Sequence, residues 1–169
     1  DTASKLYSEL IGNIATDANS SKKYWHFVRL MGRSASHITL ECALQTRANI
    51  AIISEEVEAR KQTLKALVEE IAGVVADNAA RGRNFGVALV PEGLLEFIPE
   101  MKVMVRELNE ILARECGSFS ELGSDVERVE FIYSRITPVS SQALKSLPMT
   151  LQLQLLTERD KAGNVPFSK

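Results

Sequence analysis

The stretch Tyr24-Trp25-His26-Phe27-Val28-Arg29-Leu30 is dense in aromatic and β-branched residues and is closed just afterwards by Gly32. A run of this composition, shut by a turn residue, predicts a short strand. Two further apolar runs of strand length follow, Ile50-Ala51-Ile52-Ile53 and residues 85–90. The segments around them are spaced as helices. Leu6, Leu10 and Ile14 recur every four residues ahead of the first strand and fade into the polar Asp17-Ala18-Asn19-Ser20-Ser21. After it, Ser34 or Ser36 is expected to cap a helix with Leu40, Ala43 and Leu44 on one face. Ser54 followed by Glu55 and Glu56 supplies a cap and an acidic first turn for a helix carrying Val57, Leu64, Val68, Ile71 and Val75, expected to run on to Arg81 and stop at Gly82. Beyond the third strand Pro91-Glu92-Gly93 turns the chain, and Met101, Met104, Val105, Leu108, Ile111 and Leu112 mark a long helix ending at Gly117.

Apolar strands separated by helices cannot be joined as hairpins, so they imply right-handed β-α-β crossovers. The fold class expected is α/β, a parallel sheet with helices on both faces, plus a helical extension. Residues 1–117 are assigned to the α/β portion. Residues 118–169 are read as a helical insertion or extension, with short helices around Val126, Val129 and Tyr133 and around Leu147, Leu151 and Leu155, ending in the breaker-rich Lys161-Ala162-Gly163-Asn164-Val165-Pro166.

The chain has 169 residues, 45% of them hydrophobic and 25% charged, which suits a globular domain and excludes a disordered or low-complexity protein. With 20 Lys+Arg against 22 Asp+Glu the net charge is −2, so no positive excess drives binding to nucleic acid or to an anionic membrane. No run approaches the roughly 18 apolar residues of a membrane span. Cys42 and Cys116 are too few for a disulfide framework, and reduced thiols in the cytoplasm are expected. The opening Asp1-Thr2-Ala3-Ser4-Lys5 lacks both an initiator Met and a signal-peptide layout, so the chain is expected to begin inside a longer gene product.

In an open α/β sheet ligands bind beyond the carboxyl ends of the strands. At the first such end stands Met31-Gly32-Arg33. Glycine there lets backbone approach a ligand, the arginine offers a planar fork of donors, and the next helix presents unpaired N–H groups, a set suited to phosphate or to a phosphoryl group in transit. The plain alternative is that Gly32 only permits the turn and Arg33 is a solvated surface residue. At the third strand's end Glu92 can accept hydrogen bonds from ligand hydroxyls, or can be an ordinary first-turn acid. Lys23 and Tyr24 open the first strand at the end opposite this pocket, so a ligand role for them requires a neighbouring subunit. His37 and Glu41 lie one helical turn apart without a third metal ligand near them, and His26 sits inside an apolar strand. Glu55 and Glu56 are expected to be helix-start acids. No P-loop, dinucleotide fingerprint or nucleophile elbow occurs.

The block Lys23-Tyr24-Trp25-His26-Phe27-Val28-Arg29-Leu30-Met31-Gly32-Arg33-Ser34-Ala35-Ser36-His37, with Glu41-Cys42-Ala43-Leu44-Gln45 and Val90-Pro91-Glu92-Gly93-Leu94, closely resembles the long-chain branch of the pyrophosphate-dependent phosphofructokinases. The resemblance covers the whole chain, most closely to about Leu112. It implies a Rossmann-like phosphofructokinase domain part. It also implies that Met31, Gly32 and Arg33 contact fructose 6-phosphate, with Arg33 beside the phosphoryl group in transfer, and that Glu92 binds sugar hydroxyls. Lys23 and Tyr24 would reach the sugar phosphate of a partner subunit in a homo-oligomer with shared sites.

Some of the family's motifs are missing. The Gly-Gly-Asp-Asp donor loop and the Thr-Ile-Asp segment with the catalytic aspartate are expected upstream of Asp1, and the Tyr-Glu-Gly-Arg sugar-phosphate motif downstream of Lys169. The resemblance therefore implies a central piece of a magnesium-dependent phosphotransferase whose metal ligands lie elsewhere, and which is inactive alone. The residues present leave the donor, pyrophosphate or ATP, open. A non-catalytic regulatory subunit of the same fold and an α/β module binding some other phosphorylated metabolite are the competing readings.

Overall fold

The structure, a computed structural model, describes residues 2–32, 35–115, 117, 119, 122–157 and 165. Two compact units divide the chain, Asp1–Ile98 and Pro99–Lys169. The first contains α1 (Thr2–Ser21), β1 (Trp25–Leu30), α2 (His37–Thr46), β2 (Ile50–Ala51), α3 (Ser54–Ala59), α4 (Leu64–Ala80), β3 (Gly86–Pro91) and α5 (Leu94–Phe97). The three strands are parallel in the order β1-β3-β2. Trp25 stands opposite Gly86 and Leu30 opposite Pro91, while Ile50 faces Ala88. This is the parallel, helix-flanked α/β sheet expected from the three apolar runs.

Side chains alternate across a strand, so Leu30, Val87 and Leu89 share one sheet face. They form the core with Ile11 and Ala18 of α1 and Ile38 and Cys42 of α2. Cys42 is completely buried, and its thiol points to the Ser4 carbonyl at 3.7 Å. On the second face Ala88 is buried, but Phe27 is 58% exposed. Trp25 takes the space beside Gly86, where an added Cβ would come within 2.6 Å of the indole ring.

Several expectations shift. In α1 the buried line is Ser4, Ile11 and Ala18, and Leu6 and Leu10 are exposed. Small residues along that line let α1 close on α2 and the sheet, which the larger leucines would hold apart. The single helix expected from Ser54 to Arg81 is two. Lys61 adopts a left-handed φ of 50°, and the Thr63 side chain caps α4 by accepting the Ala66 N–H at 3.2 Å. β2 is shorter than its apolar run, although Asn49 and Ile52 N–H groups continue the pairing to Val87 and Leu89 carbonyls.

The second unit contains α6 (Pro99–Arg114), α7 (Asp125–Tyr133), α8 (Pro138–Lys145) and α9 (Met149–Thr157). Met101, Met104, Val105, Leu108 and Leu112 form the buried stripe of α6, and α8 packs against that helix. The apolar stripe of α6 is satisfied by helices that follow it, and the compact units part at Ile98. A capping box of Ser124 and Glu127 starts α7. The Tyr133 hydroxyl donates to Gln152 Oε1 at 2.9 Å, joining α7 to α9. α8 was not expected from apolar spacing; Thr137 at its cap, followed by Pro138, is the signal that marks its start. Of the breaker-rich end only Val165 is described, its N–H donating to Asn109 Oδ1 at 2.8 Å. Cys116 lies outside the described residues.

Candidate functional site

Three turns gather at the carboxyl ends of β1, β2 and β3, and hydrogen bonds tie them together. The Glu92 N–H donates to the Leu30 carbonyl at 2.8 Å, and the Gly93 N–H to the Gly32 carbonyl at 3.1 Å. These bonds extend the β1–β3 ladder into both turns, so Met31-Gly32 and Glu92-Gly93 lie side by side. Gly32 has φ 138°, and a Cβ there would lie 2.8 Å from the Ala35 carbonyl oxygen. Gly32 therefore lies close against the Ala35 carbonyl, and only glycine fits there.

From the β2 side, the Ser54 N–H donates to Ser36 Oγ at 2.9 Å and the Ser36 N–H donates to Glu55 Oε1 at 2.8 Å. Both serines are buried, at 2% and 1% exposure for Ser36 and Ser54. This changes the parts expected of these residues. Ser36 does occupy the position before α2, but its side chain caps nothing in that helix, since its oxygen is taken by Ser54. Ser54 is the first residue of α3, and Ile53 precedes it as the cap. Glu55 is more than a helix-start acid. The Ser36 N–H holds its carboxyl below the usual carboxylate range against the opposing effect of partial burial, with its own N–H, the Ser36 hydroxyl and the charge of His37 adding to the lowering. Little in the sequence marks this clamp beyond a Ser-Glu pair placed just past a strand.

The structure brings together Met31, Gly32 and Glu92 among the expected site residues. Met31 is 56% exposed and Glu92 half-buried, so both are open to a ligand. Arg33 and Ser34 lie outside the described residues. Lys23 and Tyr24 are exposed and sit at the other end of β1, roughly 20 Å away at about 3.3 Å per strand residue. One chain thus does not bring them to the turns. His37 is exposed at the start of α2, and Gln45 Nε2 donates to Glu41 Oε1 at 3.3 Å.

Among the described residues no three His, Cys, Asp or Glu side chains converge as a metal site. At the turns one carboxylate, Glu55, is taken up by Ser36, which leaves Glu92. That donor set does not fit magnesium, which asks for octahedral oxygen ligation. A cavity of about 230 Å³ lies elsewhere, along β2 and α4. Its polar groups are mutually satisfied, Glu56 by Arg60 and Glu70 by Gln62. No helix among the described residues is long and apolar enough to cross a membrane.

The phosphofructokinase family profile matches residues 1–128, which takes in all three strands and their turns. A pyrophosphate–fructose 6-phosphate 1-phosphotransferase of Treponema pallidum is 51% identical over the whole chain, which covers 30% of that protein. The beta subunit of the Solanum tuberosum enzyme of the same name is 50% identical, again over the whole chain and 28% of its own length. The Solanum tuberosum alpha subunit is 37% identical, with 26% of it covered. The chain thus spans less than a third of the length of these relatives. That match spans well over half of the chain and takes in the whole sheet, and the chain belongs to the phosphofructokinase family.

Proposed function

We propose that this chain forms the acceptor-binding part of a longer phosphotransferase that moves phosphate from pyrophosphate to the 1-hydroxyl of fructose 6-phosphate in glycolysis, in the cytoplasm. The observation that carries this reading is the lateral bonding of the Met31-Gly32 turn to the Glu92-Gly93 turn at the carboxyl ends of parallel strands. Backbone at Gly32 and the exposed Met31 side chain offer a close wall for the sugar, and Glu92 offers carboxylate oxygens to its hydroxyls. Arg33 would then stabilise charge on the moving phosphoryl group. Phosphoryl transfer depends mostly on positioning and charge stabilisation, which these residues supply for the acceptor side alone. Magnesium, if it serves the whole enzyme as in other phosphoryl transfers, would be held by carboxylates outside this stretch, and it would neutralise charge on the donor phosphates.

Full-length protein given pyrophosphate and fructose 6-phosphate is expected to form fructose 1,6-bisphosphate, and the 169-residue chain alone to form none above a no-protein control. Turnover by the chain alone, or a full-length protein that phosphorylates only other metabolites, would sink the proposal.

The position of Lys23 and Tyr24 at the far end of β1 supports a homo-oligomer in which each contributes to a partner's acceptor site. The names of the potato relatives, which are subunits, agree with an assembly of several chains. Full-length Lys23→Ala and Arg33→Ala proteins are each expected to be nearly inactive. Refolded together they should regain activity, because a mixed pair holds one site with both residues intact. Mixtures as inactive as either parent would show that the sites are not shared.

A further inference from the structure

The cavity of about 230 Å³ along β2 and α4 is walled on one side by backbone. Residues 49–53 all border it. Side chains alternate across a strand, so a void that meets five consecutive residues meets the strand along its edge and not on one face. That edge is free, since among the described residues β2 pairs only with β3. The Ile52 N–H donates to the Leu89 carbonyl at 3.0 Å, and backbone groups along a strand turn alternately to its two sides. Ala51, which is exposed, therefore turns its N–H and its C=O together toward the open side. Across the void stand Leu67, Ile71 and Val74, one face of α4, with the buried Val57 of α3 beside them.

The polar side chains around the cavity bond to one another. Glu56 pairs with Arg60, and Gln62 Nε2 donates to Glu70 Oε2 at 2.8 Å. Glu70 keeps its negative charge without a cation, so an anion, phosphate esters included, is disfavoured there. The volume lies below the roughly 300–1,000 Å³ of sites for drug-sized ligands, which suits a molecule of one or two rings. What such a molecule meets is one donor and one acceptor from the Ala51 backbone and an apolar wall from α4.

We propose that this cavity binds a small, neutral, flat nitrogen heterocycle that carries a hydrogen-bond acceptor beside a donor. The acceptor takes the Ala51 N–H, the donor goes to the Ala51 carbonyl, and the ring lies against Leu67, Ile71 and Val74. Backbone groups covered by a ring must be paired, so a ligand lacking either partner is rejected. The inference is independent of the acceptor-site reading, because none of these residues belongs to the turns.

The probe is 7-azaindole, whose ring N–H stands beside a pyridine nitrogen. Titrated into full-length protein by saturation-transfer NMR, it is expected to bind saturably with a Kd of about 1 mM or tighter, a reasonable affinity for so small a molecule. Its N-methyl derivative keeps the rings and loses the donor, and is expected to bind about tenfold more weakly or worse. Ala51→Pro removes the outward N–H and leaves the Ile52–Leu89 bond in place, a change that a free strand edge tolerates, and it should weaken 7-azaindole to a similar degree. No binding to the wild-type protein, equal affinity for the N-methyl derivative, or wild-type affinity in Ala51→Pro would each overturn the proposal. Should Ala51→Pro fail to fold, Val74→Phe fills the cavity from the α4 side and is expected to abolish binding. Unchanged binding in that variant would overturn the proposal as well.

Discussion

Replacing Arg33 by alanine in the full-length protein is expected to lower kcat by on the order of 10²-fold or more, the loss seen when one preorganised stabilising donor is removed. A phosphoryl group spreads charge over its outer oxygens as it moves, and on the proposed reading the Arg33 guanidinium would meet that charge. Interactions that strengthen only in the transition state appear in kcat, whereas interactions equal in both states appear in KM. On the same reading Glu92 would belong to the second kind, because sugar hydroxyls are the same before and during transfer. Glu92→Ala should therefore raise KM for fructose 6-phosphate and leave kcat nearly unchanged. Steady-state kinetics on the two variants decides the matter. An unchanged kcat in Arg33→Ala would leave Arg33 a turn residue with no part in the chemistry.

The second large effect is expected at Gly32. Its φ of 138° is foreign to residues with a Cβ, and the added methyl of alanine would meet the Ala35 carbonyl oxygen at 2.8 Å. That carbonyl cannot yield easily, since the next residue is pinned to Glu55, Ser54 and Leu40. The conflict is relieved by moving the entry of the loop, which displaces Met31. Gly32→Ala should then lower kcat/KM by about 10²-fold, the scale associated with a displacement of about 1 Å at a reacting site. The core under α1 and α2 is built from other residues, so the unfolding temperature should change little by comparison. Wild-type kinetics in this variant would show that the loop is looser than its contacts indicate.

The strands were legible because nothing competes with an apolar β-rich run bounded by breakers: 24–30, 50–53 and 85–90 each lie on a strand, with ends displaced by a residue or two. The turns at Gly32 and at Glu92-Gly93 were legible for the same reason. The buried face of α1 was not. Spacing of four favours Leu6 and Leu10, but close packing on a neighbouring helix favours small side chains, and Ser4 and Ala18 took the inner line on either side of Ile11. The break at Lys61 escaped notice because Val57 and Leu64 are seven apart, a spacing that one continuous helix would also give. Ser36 and Glu55 escaped for a deeper reason. Both were assigned local duties beside their own helices, whereas the bond between them spans two strand ends and exists only once the sheet has formed.

That dependence has a counterpart in how the sheet comes into being. Among the described residues the order β1-β3-β2 gives the two earlier strands only the last one as a partner, since neither pairs with the other. Within this stretch neither β1 nor β2 can complete its pairing with β3 before Pro91 has been made. Pairing between distant parts of a chain is slow, and strands kept waiting are exposed to chaperones and to each other. The chain's one tryptophan, Trp25, rests beside Gly86 across the first of those two joints, so its fluorescence in the 169-residue chain is expected to report the moment that joint closes.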